Sequence, residues 1–395
     1  MNHARKKILF LTSRFPWPLD KGDKLRAYYF IKEISKHHDI YLFSLSSKKL
    51  SPSDIQQLAQ YCKDIKIFYL SPLRILINLI YHLLFSYKPL QVGYFYHFGV
   101  NKSLKKYTDH VEPDLIFCQL IRMAEYVKNL KHVKILDYMD ALSKGMERRY
   151  WNAHPAIKWA FKIETKRLKI YEHNIFSFFH FHTIISDTDR KCIMHALNDN
   201  ITIVPNGVDT QKFARKIPPD PYTIIFPGNL SYPPNIDAAI RLATKIFPAI
   251  SKEIPGSRLI LCGSSPALPV KKLACENIIV TGWVENIVEY YEKASLMIAP
   301  LRLGSGMQNK ILESMAMQVP CITTPMVNLS IGAKENEEIL LAQTDEDFVQ
   351  KAILLLKNES LRQKIAQNGY DLVKNQYNWQ TKLEKLINII EHGRS

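Results

Sequence analysis

Paired cysteines are lacking in this chain. Six occur, Cys62, Cys118, Cys192, Cys262, Cys275 and Cys321, with no C-x2-C and no Cys/His pair at ligand spacing, which excludes a zinc ribbon and a disulfide framework. Apolar runs long enough to span a bilayer, about 20 residues, are also missing. The longest candidate, Leu73 to Ser86, is 14 residues and is broken by Arg74, Asn78 and His82. Behind the basic start at Met1 to Lys7, the apolar stretch Ile8 to Leu11 is too short for the core of an export signal, so a cytoplasmic chain is expected. Extended low-complexity segments are absent as well, and 47% hydrophobic with 23% charged residues is ordinary for globular protein.

Acidic residues are scarce beside basic ones: 37 Asp and Glu against 53 Lys and Arg, a formal charge of +16 over 395 residues. Up to Asn206 the balance is 32 basic to 18 acidic, or +14, which leaves only +2 for the rest. Twelve of the 13 histidines precede Asn206 too. A length near 400 exceeds what one core organises, so two domains of about 200 residues are expected. The first of them needs an anionic partner: nucleic acid, acidic lipid or a phosphorylated substrate.

Short β-branched runs alternate with amphipathic stretches along nearly the whole chain, the pattern of parallel α/β layers. The runs are Lys7 to Ser13, Ile40 to Ser46, Ile65 to Leu70, Leu115 to Leu120, Lys134 to Met139 and Phe181 to Ser186, then Thr223 to Gly228, Arg258 to Gly263, Asn277 to Gly282, Leu296 to Leu301, Cys321 to Thr324 and Ile339 to Ala342. They predict two doubly wound domains, 1–204 and 205–378. The boundary falls at Pro205-Asn206-Gly207, a turn followed by a Pro-rich stretch. Trp379, Leu383, Leu386, Ile387 and Ile390 give residues 379–395 a final helix with one buried stripe, expected to pack back toward the first domain.

On a helix, Arg74, Asn78, His82 and Ser86 recur every four positions as a single polar stripe. Two readings stand: a core helix of the first domain, or a helix resting in a membrane interface, favoured by Lys88, Lys102, Lys105 and Lys106 nearby.

The segment Ala299 to Pro325 reads as a strand, a Gly-rich loop, a helix from about Met307, and another strand. Gly304 and Gly306 would let backbone approach a ligand, and the helix start would offer N–H groups to a diphosphate. Lys310 and Glu313 lie three apart and share a face. The cation suits phosphate and the carboxylate suits a ribose diol.

The pattern Gly306, Gln308, Asn309, Lys310, Leu312, Glu313, Met315, Ala316, Met317 resembles that of GT-B glycosyltransferases of the family 4 type, in particular bacterial sugar transferases of exopolysaccharide synthesis. Arg14-Phe15-Pro16-Trp17-Pro18 with Asp20 to Arg26, Phe226 to Tyr232, and Thr281-Gly282-Trp283-Val284 are similar to further segments of that family. The resemblance implies a GT-B architecture, two Rossmann-like domains facing a cleft, and retaining transfer of a sugar from a UDP- or GDP-sugar without an obligatory metal or other cofactor. It implies donor binding by Gly22, Gly228, Asn229, Val284, Ser305, Gly306, Asn309, Lys310 and Glu313. Two departures stand out. Ser305 occupies the place, eight before Glu313, of a frequent family carboxylate, and Asn229 that of a frequent arginine; Lys310 then carries more of the phosphate charge.

For the reacting centre, Asp140 and then Asp137 are the candidates, since Asp140 falls just past a strand end, where open α/β sheets place ligands. Asp23, Lys24, Arg26, Arg148 and Arg149 are candidate acceptor contacts, against a saccharide or a lipid-linked one. Asp187-Thr188-Asp189 is a D-x-D but reads as helix capping, and His180 with His182 lacks a third ligand, so no metal is expected. An anionic membrane surface is a candidate partner, at the inner face of the cytoplasmic membrane. A nucleotide-sugar epimerase is the alternative enzyme. Specific nucleic-acid binding is disfavoured, because no recognition helix, finger or RNA-binding aromatic motif occurs.

Overall fold

The structure, a computed structural model, describes residues 4–302 and 307–393. The chain divides into two compact units, Met1–Pro205 with Leu383–Ser395, and Asn206–Lys382.

The first unit is built on parallel strands β1 (Lys7–Thr12), β2 (Asp39–Ser46), β3 (Cys62–Tyr69), β4 (Leu115–Gln119), β5 (Val133–Met139), β6 (Phe181–Ile184) and β7 (Thr202–Ile203), in the order β3-β2-β1-β4-β5-β6-β7. All but the two-residue β7 lie on the runs read from the sequence. A strand so short carries no periodicity to read. β1 and β4 are buried almost throughout, as expected of central strands covered on both faces. The core stacks Phe10 on Phe117 at 4.5 Å, with Phe30 edge-on to Phe117 at 5.9 Å.

The second unit holds β8 (Thr223–Pro227), β9 (Arg258–Cys262), β10 (Ile278–Gly282), β11 (Leu296–Ala299), β12 (Cys321–Thr323) and β13 (Leu340–Leu341), also parallel, in the order β10-β9-β8-β11-β12-β13. In both sheets the order reverses beside the first strand, at β1/β4 and at β8/β11. Open α/β sheets bind ligands beyond the strand ends at such a switch.

Gly207 is required by close approach: a Cβ there would sit 2.8 Å from the backbone of Trp379, and Val208 N–H donates to Tyr377 O at 2.7 Å. The last helix, Trp379–His392, buries Trp379, Leu383, Leu386 and Ile390 of the expected stripe, leaves Ile387 half-buried and buries Ile389 instead. Its end is capped by Lys6, whose Nζ donates to Ile390 O at 2.6 Å and Glu391 O at 3.1 Å, a cation placed where free carbonyls cluster.

The helix Pro72–Phe85 corrects the core reading. Only the middle of its polar stripe faces inward: His82 is buried and the Asn78 amide donates to Tyr96 O, whereas Arg74 is exposed, as are Leu73, Leu76, Ile77, Ile80, Tyr81, Leu83, Leu84 and Phe85.

Asp187–Arg190 is a helix capped by the Ser186 hydroxyl, which accepts from Asp189 N–H at 3.1 Å. Asp187 pairs with Arg190 at 2.6 Å and Lys191 at 2.7 Å, so the D-x-D works as capping chemistry. His182 is buried, stacked on Phe176 at 3.7 Å, and among the described residues no cluster of His, Cys, Asp or Glu is arranged to hold a metal.

Candidate functional site

At the carboxyl end of β8 the chain turns through Gly228, at φ 152°, beside Gly263 at φ 153° after β9. The approach is close enough that a Cβ on Gly263 would lie 1.7 Å from Gly228 O. A Cβ on Gly228 would lie 2.9 Å from Asn235 Nδ2 and 3.0 Å from Lys310 Nζ. The absence of side chains lets Gly228, Gly263, Asn235 and the Lys310 ammonium crowd into one polar crossing, a candidate cradle for an anion. Gly263→Ala is expected to cost about 2–3 kcal/mol, because a backbone shift is the only relief; a urea midpoint equal to that of the wild type would exclude so tight a crossing.

Lys310 lies in the helix Asn309–Ala316, buried, its Nζ donating to Asn235 Oδ1 at 2.6 Å and sitting 4.6 Å from the Phe226 ring centre. Burial pulls its ammonium down to about 7, only partly opposed by the negative charge of Glu313. The Glu313 carboxyl is pushed above its ordinary range by burial. Its Oε2 accepts from the Tyr291 hydroxyl at 3.0 Å. Tyr291, fully buried on the helix Val288–Lys293, is a positioning residue that the sequence did not single out. Nothing local marks it; only the packing of two helices brings it to Glu313.

Asn309, at the start of its helix, accepts from Asn206 Nδ2 at 3.3 Å. Asn229 is turned to local use: its Oδ1 accepts from Ser231 N at 2.9 Å and Ser231 Oγ at 2.7 Å. The place of a frequent family arginine therefore supplies no charge, which leaves Lys310 as the buried cation. Arg302, after β11, forms a two-pronged pair with Asp237 at 2.6 and 3.2 Å. Val284 is half-buried against the core, next to exposed Trp283. Gly304, Ser305 and Gly306 lie outside the described residues.

In the first unit, the strand ends gather Arg14, Asp23, Arg122 and Asp140. Arg14 Nη1 donates to Asp23 Oδ2 at 2.7 Å, and Arg122 Nη1 lies 3.8 Å from the same oxygen. Burial lowers Arg122 to about 10, and its Nε has no partner among the described residues. Asp140 is raised to about 6 by burial and by neighbouring Asp189, against the pull of Arg122. It precedes the helix Leu142–Asn152 without capping it, the cap position being Ala141. Arg122 escaped the sequence reading because only the adjacency of β1 and β4 brings it to Asp23.

Two expectations are revised. Asp137 and Arg26 are both 0% exposed and joined by paired bonds, Nε to Oδ2 and Nη2 to Oδ1, each 2.8 Å. Thr183 Oγ1 donates to Asp137 at 2.8 Å and Arg26 Nη1 donates to Val204 O at 2.8 Å. Such groups hold the sheet together and offer no atom to a substrate. Lys24 is engaged too, paired with Asp20 at 2.9 Å. Gly22 opens the helix Gly22–Ile34 against Met139. Arg148 is half-buried and Arg149 exposed on the helix Leu142–Asn152.

Residues 221–358 match the family model described as Glycosyl transferases group 1. A protein of the Klebsiella pneumoniae cps region is 22% identical over 94% of this chain and 96% of its own length. The phosphatidyl-myo-inositol mannosyltransferase of Mycobacterium tuberculosis is 23% identical over 52% of this chain and 58% of its own. In fold, the chain is similar to Anabaena Alr3699/HepE, solved with UDP and glucose, at a TM-score of 0.71 and 12% identity over 98% of this chain and 100% of the other.

Proposed function

We infer that this chain, a glycosyltransferase of GT-B fold carrying a group 1 domain at residues 221–358, moves a sugar from a nucleotide diphosphate sugar to an acceptor hydroxyl. The observation that carries this reading is the Gly228/Gly263 cradle with Lys310 Nζ beside it, at the switch point of the second sheet. A diphosphate seated there meets backbone without side chains, a buried cation and the start of the Asn309–Ala316 helix. Glu313, steadied by Tyr291, accepts hydrogen bonds from the ribose hydroxyls. UDP in the HepE structure supports a uridine donor, and a GDP-sugar is the second donor to assay.

The chemical step breaks the bond between the anomeric carbon and the diphosphate, and the departing oxygen gains negative charge. Lys310, already desolvated, stabilises that charge without reorganisation, which is where electrostatic catalysis is strongest. The transfer is retaining by family resemblance and proceeds without an obligatory metal. The acceptor hydroxyl oxygen forms the new bond to the anomeric carbon and passes its proton to the departing diphosphate oxygen, so no dedicated base from the first unit is needed. Asp140 and the arginines Arg14 and Arg122 bind the acceptor, in synthesis of a cell-surface polysaccharide or glycolipid. The cps-region relative supports that role, with a saccharide, free or lipid-linked, as the acceptor.

The test is release of free nucleotide diphosphate on incubation with UDP- and GDP-sugars, with and without saccharide acceptors. Release that requires acceptor is expected. Glu313→Ala is expected to raise the donor KM about 30-fold, the loss of two hydrogen bonds of roughly 1 kcal/mol each; an unchanged KM would remove Glu313 from the donor site. Conversion of donor without acceptor would make the enzyme an epimerase.

A further inference from the structure

The helix Pro72–Phe85 inverts the usual rule of burial. Leu73, Ile77, Ile80 and Leu84 follow one another at i, i+4, i+7 and i+11 along its outer face, with Leu73 66%, Leu84 64% and Phe85 74% exposed, while His82 beneath is 5% exposed. With Leu76, Tyr81 and Leu83 also half out, the eight side chains present on the order of 700 Å², more than the ~300–600 Å² of the largest patch on an ordinary soluble monomer.

Two neighbouring helices extend this face. Arg167, on the helix Pro155–Phe176, donates from Nη1 to His82 O at 3.0 Å, and Glu164 accepts from the N–H groups of Leu90 and Gln91 at 2.9 and 3.1 Å. That helix exposes Trp159, Ile163 and Ile170 on one side with Lys166. On the other flank, Asn78 bonds Tyr96 O and lies 3.4 Å from His97 Nδ1, at the start of the helix Phe98–Val111. There Phe98, Lys102, Lys105 and Lys106, at i, i+4, i+7 and i+8, are all exposed.

The charge around the face is mostly basic, with Lys88 paired to buried Glu125 at 2.5 Å and Asp109 exposed near the end of the flanking helix. From Ile65 to Thr108 there is no Asp or Glu, whereas Lys66, Arg74, Lys88, Lys102, Lys105 and Lys106 are basic. A protein partner would need a matching acidic apolar groove. A bilayer with anionic headgroups supplies both complements at once, acyl chains for the leucines and phosphates for the lysines. Exposed Tyr81, Tyr87 and Trp159 belong to the residue types that prefer the headgroup level.

We propose that the helix Pro72–Phe85, flanked by Trp159 with Ile163 and by Phe98 with Lys102, Lys105 and Lys106, is a docking surface for an anionic lipid bilayer. The helix lies in the interface plane, as no helix among the described residues is long and apolar enough to cross a membrane. The proposal rests on the transferase reading only for its purpose, bringing the first unit to a lipid-linked acceptor.

The experiment is flotation of the full chain with vesicles of about 30% phosphatidylglycerol in phosphatidylcholine, or of phosphatidylcholine alone, beside nucleotide diphosphate release with a soluble saccharide acceptor. The wild type is expected to float with the anionic vesicles and about tenfold less with the neutral ones. A Leu76→Gln/Ile80→Gln/Leu84→Gln variant should lose at least about tenfold in flotation, as should Lys102→Gln/Lys105→Gln/Lys106→Gln on anionic vesicles, with Tm and nucleotide release retained. Equal flotation of the wild type and the leucine variant would overturn the proposal. So would a wild type that stays in solution, or a face that instead forms a dimer which the leucine variant dissociates. Flotation without nucleotide release under any donor and acceptor would sink the transferase reading and leave the docking surface standing.

Discussion

Replacing Lys310 by Met is expected to lower turnover about a thousandfold, the upper range for removing one preorganised donor from a developing anion. The size follows from scarcity. Asn229 is tied to Ser231 and Arg302 to Asp237, so no second buried cation at the cradle takes over among the described residues. The pH dependence gives an independent readout. With its ammonium drawn down to about 7 by burial, the empty protein releases this proton as pH rises past neutrality, and a diphosphate must restore it on binding. UDP affinity should therefore weaken above about pH 7, by up to tenfold per unit, and Lys310→Met should flatten that dependence. Calorimetric titration with UDP in buffers of different ionisation enthalpy would measure the proton uptake. A pH-independent affinity in the wild type would show that Lys310 is not the phosphate cation.

The same depressed value affects stability with a definite sign. Between about pH 7 and the ordinary lysine value of 10.5, the unfolded chain binds a proton that the folded chain does not. Stability from this group then rises with pH across that window, and below it the full cost of burying the charge remains.

Asp137→Ala is expected to destabilise the first unit by about 3–5 kcal/mol, because it strands the Arg26 guanidinium in the interior. Both partners are 0% exposed, and Thr183 and Val204 are arranged around them. The loss should appear in the urea transition of the first unit, with UDP binding by the second unit largely retained. Arg26→Met combined with Asp137→Leu should recover most of the stability, since a buried pair often exchanges for apolar packing at little net cost. If Asp137→Ala unfolded normally but lost turnover, the carboxylate would belong to the reaction after all.

Lys310 and Glu313 were legible in the sequence because helical spacing alone puts residues three apart on one face. The strand ends were legible because β-branched runs stop at Gly228 and Gly263, where the chain must turn. Asp137 misled for a related reason: a carboxylate near a strand end looks the same in sequence whether it points at solvent or at an arginine 111 residues away. Tyr291 and Arg122 were invisible, one aromatic and one basic residue among many.

The alternation of strands and helices, the turn at Pro205-Asn206-Gly207 and the spacing of the candidate donor residues can all be read from the order of residues along the chain. Those features depend on backbone sterics and periodicity within windows of a few residues. Long-range packing is what pairs Arg26 with Asp137, sets Tyr291 against Glu313, joins Arg122 to Arg14 at Asp23 and turns the leucines of Pro72–Phe85 outward. Which partner a buried charge meets, and which face of a helix is covered, depends on strand order and on what packs above each strand. Periodicity draws a stripe along a helix but does not say which side the rest of the molecule will cover.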